Sequence, residues 1–182
     1  MNKPPVQASE PSFILISEEY LPLIYAWFNE PHIQAFYSLR TWTMEEVRQK
    51  LTAYIQGAED LKCYIVFIDK TPIGYVQCYP VKKHPWDDQD LTDEIIQDSA
   101  GIDLFIGERE FIGKGLGCRI LDTFLQRHIW PHYRYCLADP DIRNEACMRL
   151  FKKCAFQEHQ RINSKDALLR PVTLQLFIKE RE

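Results

Sequence analysis

Residues 101–117 carry the most chemistry per residue in this chain: Gly101-Ile-Asp-Leu-Phe-Ile-Gly-Glu-Arg-Glu-Phe-Ile-Gly-Lys-Gly-Leu-Gly117. An acidic residue, Asp103, sits near the start of an apolar run that reads as a buried strand. Three glycines at alternate positions, Gly113, Gly115 and Gly117, follow a charged turn and open a helix. Glycine lets a backbone approach a ligand closely, because no Cβ stands in the way. The first amides of a helix have no internal partner, so this loop is suited to an anion such as a pyrophosphate.

Two familiar phosphate loops do not fit. A P-loop needs G-x-x-x-x-G-K-[ST]. Gly113-Lys114 supplies the GK pair, but Glu108 stands at the first glycine and Gly115 at the Ser/Thr position. A dinucleotide fingerprint needs G-x-G-x-x-G, and Cys118 occupies its third glycine position. Taken alone, the loop is either a pyrophosphate cradle of another kind or a glycine turn without a ligand.

A carboxylate at the start of a buried strand can bind an alkylammonium group and accept its proton, directly or through a water. Asp103 is the candidate for that role; a strand-end Asp with its hydrogen bonds satisfied is the alternative. The stretch Trp86-Asp-Asp-Gln-Asp-Leu-Thr-Asp-Glu-Ile-Ile-Gln-Asp98 holds no Lys or Arg. It offers a negative field to a polycation, or else is a solvated acidic loop. His32 reads as a packing or capping residue and His84 as a loop residue. His128 and His132 flank Trp130-Pro131, where a helix dipole accounts for them. The six cysteines contain no C-x-x-C pair, and no His/Cys spacing matches a metal site. They read as reduced, partly buried thiols.

Elements to hold these groups are legible along the chain. Phe13–Ile16 reads as a strand and Glu18–Asn29 as a helix with Leu21, Ile24 and Phe28 on one face. Pro31 ends it. Thr43-Met-Glu-Glu46 is a capping box, opening a helix that turns Met44, Val47, Leu51, Tyr54 and Ile55 inward. Cys63–Ile68 and Ile73–Tyr79 form a hairpin about Asp69-Lys-Thr-Pro72. Residues 80–100 read as irregular. Gly101–Ile106 is the fourth strand, and the helix after it buries Leu116, Ile120, Leu121, Phe124 and Leu125. Tyr133–Ala138 is the fifth strand. A helix over Arg143–Cys154 buries Cys147, Leu150, Phe151 and Cys154. Residues 155–160 and Val172–Lys179 close the sheet. This order gives an α/β (mixed α+β) fold, one mixed, mostly antiparallel sheet with helices on both faces.

The chain has 182 residues and a formal net charge of −4. That length suits one domain over 1–182, with residues 1–10 as a loose arm after Pro4-Pro5. No basic run tracks a nucleic acid. No apolar run is long enough to span a bilayer, and the start lacks a signal-peptide core. The expectation is a cytoplasmic protein, monomer or homodimer, that binds neither nucleic acid nor membrane.

Six ordered pieces carry a resemblance over roughly residues 20–160. They are Tyr25-Ala-Trp-Phe-Asn-Glu-Pro-His-Ile33, Pro72-Ile-Gly-Tyr-Val-Gln-Cys-Tyr79, Gly101-Ile-Asp103, Gly113-Lys-Gly-Leu-Gly117, Ala138-Asp-Pro140, and Asn144 with the helix through Phe156. In these the chain resembles the GCN5-related N-acetyltransferases (GNAT), most nearly the aminoglycoside 6′-N-acetyltransferases and then the siderophore-pathway enzymes that acylate hydroxylysine-type amines. The resemblance implies a splay between strands 4 and 5 that takes acetyl-CoA. It implies pantetheine contacts to the backbone of Leu104, Phe105 and Ile106, and a pyrophosphate on the amides of Gly113, Lys114, Gly115, Leu116, Gly117 and Cys118. Asn144 would bond the CoA arm. Asp103 would face the reacting amine of a small polycationic substrate, and Asp139 would be a second acid beside it. Gln77, Tyr79, Phe36 and Tyr37 would wall that pocket, and an amide near Phe105 would receive the oxyanion. Three departures stand out. Phe111-Ile112 replaces the usual Arg or Gln before the loop. Phe151 stands where many members carry a tyrosine that protonates the thiolate. Ala155 replaces the usual glycine after that helix.

Overall fold

The computed structural model describes residues 9–58 and 60–182. Seven strands form one sheet: β1 (Ser12–Leu15), β2 (Lys62–Ile68), β3 (Thr71–Pro80), β4 (Ser99–Ile106), β5 (Tyr135–Ala138), β6 (Gln157–Lys165) and β7 (Pro171–Glu180). Their order across the sheet is β1-β2-β3-β4-β5-β7-β6. Every neighbouring pair is antiparallel except β4 and β5. The helices are α1 (Leu21–Phe28), α2 (Pro31–Gln34), α3 (Met44–Ile55), α4 (Asp93–Gln97), α5 (Leu116–Phe124) and α6 (Glu145–Lys153).

Alternation along the strands divides the core in two. Ile65, Tyr75 and Phe105 face α1 and α3, where Ile24, Phe28, Val47 and Leu51 meet them. Val66, Val76 and Ile102 face the other side, against Ile120, Leu121 and Phe124 of α5 and Phe151 of α6. The capping box of α3 forms in full, with Glu46 N donating to Thr43 Oγ1 and Thr43 N donating to Glu46 Oε2. The buried stripe of α5 is the one its sequence spacing predicts.

The parallel pairing of β4 with β5 covers only Ser99–Gly101 against Tyr135–Leu137. Antiparallel pairing of β4 with β3 continues to Ile106. Beyond Gly101, β4 therefore keeps one partner and opens its other edge. This is the expected splay, and the two arms of the gap carry Asp103 and Asp139.

Several boundaries differ from the sequence reading. The first helix is a 3₁₀ turn (Glu18–Tyr20) leading into α1, because Pro22 restricts the start. The 80–100 stretch contains a 3₁₀ turn at Val81–Lys83, the short α4 and the first residues of β4. Strand β5 begins two residues later than expected, since Tyr133 lies in the preceding turn. Strand β6 runs on to Lys165; its sequence is polar because it is a sheet edge, so no apolar alternation marks it. The expected loose arm lies mostly in residues 1–8, outside the described residues. Ser9 and Glu10 are held, by Arg119 Nη2 on Ser9 O at 2.8 Å and by Arg127 on Glu10 at 2.8 Å.

Candidate active site

The opened edge of β4 sets which backbone groups are on offer. In an antiparallel pair, successive residues alternate between bonding their partner and pointing away. His32 Nε2 lies 3.0 Å from the Ile106 carbonyl, which therefore points away from β3. By alternation the peptide groups of Ile106 and Leu104 face the gap, and those of Phe105 face β3. Of the three strand peptides named in the sequence reading, two open toward the gap and that of Phe105 does not. Phe105 instead contributes its ring, stacked on Tyr75 at 5.3 Å and edge-on to Tyr37 at 4.8 Å.

Asp103 lies directly across from Gln77 in the β3–β4 register. Gln77 Nε2 donates to Asp103 Oδ2 at 2.6 Å. The phenols of Tyr75 and Tyr37 donate to Gln77 Oε1 at 2.8 and 3.3 Å, which fixes the amide with its nitrogen toward the carboxylate. Burial pushes the Asp103 carboxyl above its ordinary range, while the Gln77 bond and the Lys50 charge pull it back. Asp139, just past β5, receives Trp86 Nε1 at 2.7 Å. Burial first, and the Asp103 charge second, push it up to about 7. No Lys or Arg pairs with either carboxyl among the described residues. Two half-buried carboxyls without a cation between them have an unmet need for positive charge.

Tyr79 pairs with Gly101, and a Cβ at Gly101 would stand 2.4 Å from the Tyr79 ring. That glycine is required for the ring to lie over β4. Asp103 and Asp139 both press on Tyr79 and, after burial, raise its phenol well above the ordinary range.

The glycine loop has the geometry of a cradle. Gly113 and Gly115 adopt φ of +76° and +74°, and nothing lies within 4 Å of where a Cβ would be. Gly115 caps α5 with no side-chain bond to the helix start, so the amides of Leu116, Gly117 and Cys118 are uncapped. Lys114 is exposed beside Phe111, its Nζ 5.4 Å from the ring. Gly117 serves packing instead. A Cβ there would meet Leu150 Cδ1 at 2.9 Å, so it sets how closely α5 approaches α6.

A cleft of about 340 Å³ opens between the strands and carries Asp103, Leu104, Phe105, Asp139, Phe36 and Tyr37 in its wall. Asn144 is also there, its Oδ1 capping α6 through Cys147 N at 3.2 Å, so its amide nitrogen is the part left for a ligand. Phe151 is buried between Phe156 and Phe177, with ring centroids at 5.0 and 5.6 Å. Ala155 takes the left-handed conformation of the missing glycine, φ +61°.

Four participants escaped the sequence reading. Trp86 was part of the acidic stretch, yet its indole holds Asp139. His32 clasps the β4 edge. Asp141 and Asp166 line the cleft already bound to Arg143 and Arg170. The acidic stretch is also partly spent, since Glu94 pairs with Arg134 at 2.7 Å and Asp98 Oδ1 accepts Arg134 N at 3.1 Å. His128 is no simple helix-end residue: it stacks on Phe124 at 4.9 Å, and burial lowers its pKa.

Residues 17–164 match the family described as "Acetyltransferase (GNAT) domain". The chain belongs to the GNAT acetyltransferase family. Among curated relatives, the aminoglycoside N(6′)-acetyltransferase type 1 of Klebsiella pneumoniae is 25% identical over 158 residues, 84% of this chain and 76% of the relative. The structure of AAC(6′)-Ib with paromomycin and acetyl-CoA superposes with a TM-score of 0.79 at 24% identity, covering 95% of this chain and 94% of the other. Spermidine N-acetyltransferase from Vibrio cholerae, solved with CoA and spermine, gives 0.74 at 15% identity, covering 94% and 95%. The split between β4 and β5, the glycine loop and both acids of this GNAT chain lie within the matched residues.

Proposed function

We propose that this protein acetylates a primary amine, the 6′-amino group of an aminoglycoside, with acetyl-CoA as donor and by direct transfer. The observation that carries the reading is the half-buried pair Asp103 and Asp139, without a salt-bridge partner among the described residues, beside the open edge of β4. The residues fit the donor: two glycines in open, positive-φ positions, an uncapped helix start and strand peptides that face the gap suit a pyrophosphate and an amide-bearing arm. Acetyl-CoA supplies the activated acyl group.

The chain's own residues bind, orient and move the proton. The amine arrives as an ammonium and is drawn to the acid pair. Asp103, held by Gln77, fixes its direction. One carboxyl of the pair takes the proton, and Asp139 suits this because its pKa of about 7 matches neutral conditions. The N–H groups of Leu104 and Ile106 are the donors for developing negative charge on the acyl oxygen. Phe151 has no proton to give, so water protonates the departing thiolate.

A second reading rests on the cleft mouth. The Asp141 and Asp166 side chains are 11% and 10% exposed, while their partners Arg143 and Arg170 are 66% and 56% exposed. The mouth thus presents guanidinium groups, which favours an acceptor with fewer charges, such as a lysine derivative of the hydroxylysine type.

Thiol release from acetyl-CoA separates the two. Rapid release with kanamycin or tobramycin and little with lysine derivatives or polyamines supports the first reading; the reverse supports the second. Silence with every amine would leave a CoA-binding module without turnover. Asp103→Asn is expected to cut turnover severely and leave CoA binding intact.

A further inference from the structure

A second cavity, of about 350 Å³, opens beside β2 and β3 and shares no wall residue with the cleft, although its Cys78 pairs with Ile102 of the cleft wall. It is bounded by the start of β2, the end of β3 and the turn between α5 and β5. Lys62, Tyr64, His128, His132 and Tyr133 supply polar atoms to it. Tyr64 belongs to the core on the α5 face, whereas Gln77 and Asp103 lie on the α1–α3 face; Tyr79, on the side of the acid pair, also borders this cavity.

The five side chains share one property. Among the described residues, none of their terminal polar atoms has a hydrogen-bond or ion-pair partner. The single carboxylate in the wall, Asp60, is already bound to Lys83. Lysine and the two phenols are donors, and each neutral imidazole brings one more. The field at His128 is positive: after burial, the charges of Arg127, Lys62 and His132 lower its pKa, whereas the Asp98 charge acts on Tyr133.

The backbone adds an independent feature. Residues Leu125–Ile129 form a π turn, closed by Trp130 N on Leu125 O at 2.8 Å. Such turns interrupt an α-helix at a cost and occur often at functional sites. His128 lies within this turn and is packed on Tyr64 at 4.6 Å. Simple packing of an imidazole on Phe124 does not require Lys62, His132 and Tyr133 to converge on the same space.

We propose that this cavity binds a small anion rich in oxygen acceptors, a phosphate or a polycarboxylate, at a site separate from the acyl-transfer cleft. Lys62 supplies the charge. Tyr64, Tyr133 and His132 supply directed hydrogen bonds, and His128 forms the back wall. The inference does not depend on which amine is acetylated.

Calorimetric titration with inorganic phosphate and, separately, with citrate tests it. The wild-type protein is compared with Lys62→Gln and His132→Gln, two exposed positions whose replacement leaves the core intact. The expected result is saturable binding of at least one of the two anions, weakened tenfold or more in each variant with an unchanged melting temperature. Phosphate alone, or citrate alone, would distinguish the two sources. Absence of saturable binding for both, or equal affinity in wild type and variants, would overturn the proposal; equal affinity would place the anion at the glycine loop instead.

Discussion

Gln77 joins two phenols to one carboxylate: its Oε1 accepts from Tyr75 at 2.8 Å and from Tyr37 at 3.3 Å, and its Nε2 donates to Asp103 at 2.6 Å. The phenols decide which end of the amide faces the acid. Gln77→Leu removes the donor and the acceptor the two phenols share, leaving Tyr75 its contact with Cys63 Sγ at 2.7 Å. A hydrogen bond to a charged group contributes about 1.5–3 kcal/mol, so kcat/KM for the amine is expected to fall about 10- to 100-fold. Acetyl-CoA affinity, measured by calorimetry, should stay within a factor of about two if the bond acts on the acceptor side alone.

The acid pair predicts a pH profile. Asp139 rises from its ordinary 3.8 to about 7, for reasons of burial and of the Asp103 charge. The pair titrates as a unit. Proton acceptance needs the ionised form, so kcat/KM should climb through pH about 7 and level off above it. Asp139→Asn should lose both most of the rate and this limb. A profile unchanged in the variant would remove Asp139 from the proton path.

Stability should move the opposite way over the same interval. A carboxyl whose folded pKa is raised binds more protons in the folded chain than in the unfolded one. Its contribution is fully present below pH 3.8 and is lost as pH rises toward about 7. Asp139→Asn abolishes that loss. Melting temperatures of the variant and the wild type should therefore diverge in the variant's favour between pH 4 and pH 7 and run parallel above, a window set by the values 3.8 and about 7. Parallel curves throughout would count against a half-buried, uncompensated carboxyl.

What could be read from the chain follows from how local each signal is. The capping box at Thr43 and Glu46 is a four-residue event, and it appears as its spacing demands. The stripe of α5 is a single-helix pattern and is equally plain. Asp103, Gln77 and the glycine loop lie in short motifs, and the β3–β4 register sets the first two side by side. The indole of Trp86 on Asp139 spans 53 residues, and the imidazole of His32 on Ile106 spans 74. No local pattern announces such contacts. The peptide alternation that favours Leu104 and Ile106 over Phe105 depends on strand register, and a sequence read without its pairing leaves that choice open. The π turn at Leu125–Ile129 has no composition of its own.

The end of α6 offers a stability test. Ala155 N bonds Lys152 O at 3.1 Å and Phe156 N bonds Phe151 O at 3.0 Å, with the two rings in contact. These are the two bonds and the apolar contact of a Schellman motif. Its left-handed position is filled by an alanine at φ +61°, where a Cβ is disfavoured. Ala155→Gly relieves that strain and is expected to stabilise the protein by about 0.5–1 kcal/mol, the relief exceeding the added chain entropy. Chemical denaturation with an unchanged m-value would register it. A loss of stability would mean that the alanine methyl packs usefully in this turn.

The corner between α1 and α2 is bolted to the segment that leads into the glycine loop. His32 donates to Ile106 O at 3.0 Å, Trp27 Nε1 donates to Glu108 Oε1 at 2.8 Å, and Arg109 Nε donates to Glu30 Oε2 at 3.0 Å. Gly107 lies under the Trp27 indole, where a Cβ would come within 2.3 Å of the ring. The His32 bond is the one that reaches the open edge of β4, so it fixes the peptides that would meet the pantetheine arm. Its loss should act on the donor and not on the acceptor. His32→Ala is expected to raise the Kd for acetyl-CoA about 3- to 10-fold, in line with one neutral hydrogen bond of about 0.5–1.5 kcal/mol, and to leave KM for the amine unchanged. His32→Gln keeps an N–H within reach of the same carbonyl and should recover most of the affinity. A purely structural role would instead lower the melting temperature of both variants and shift both substrates together.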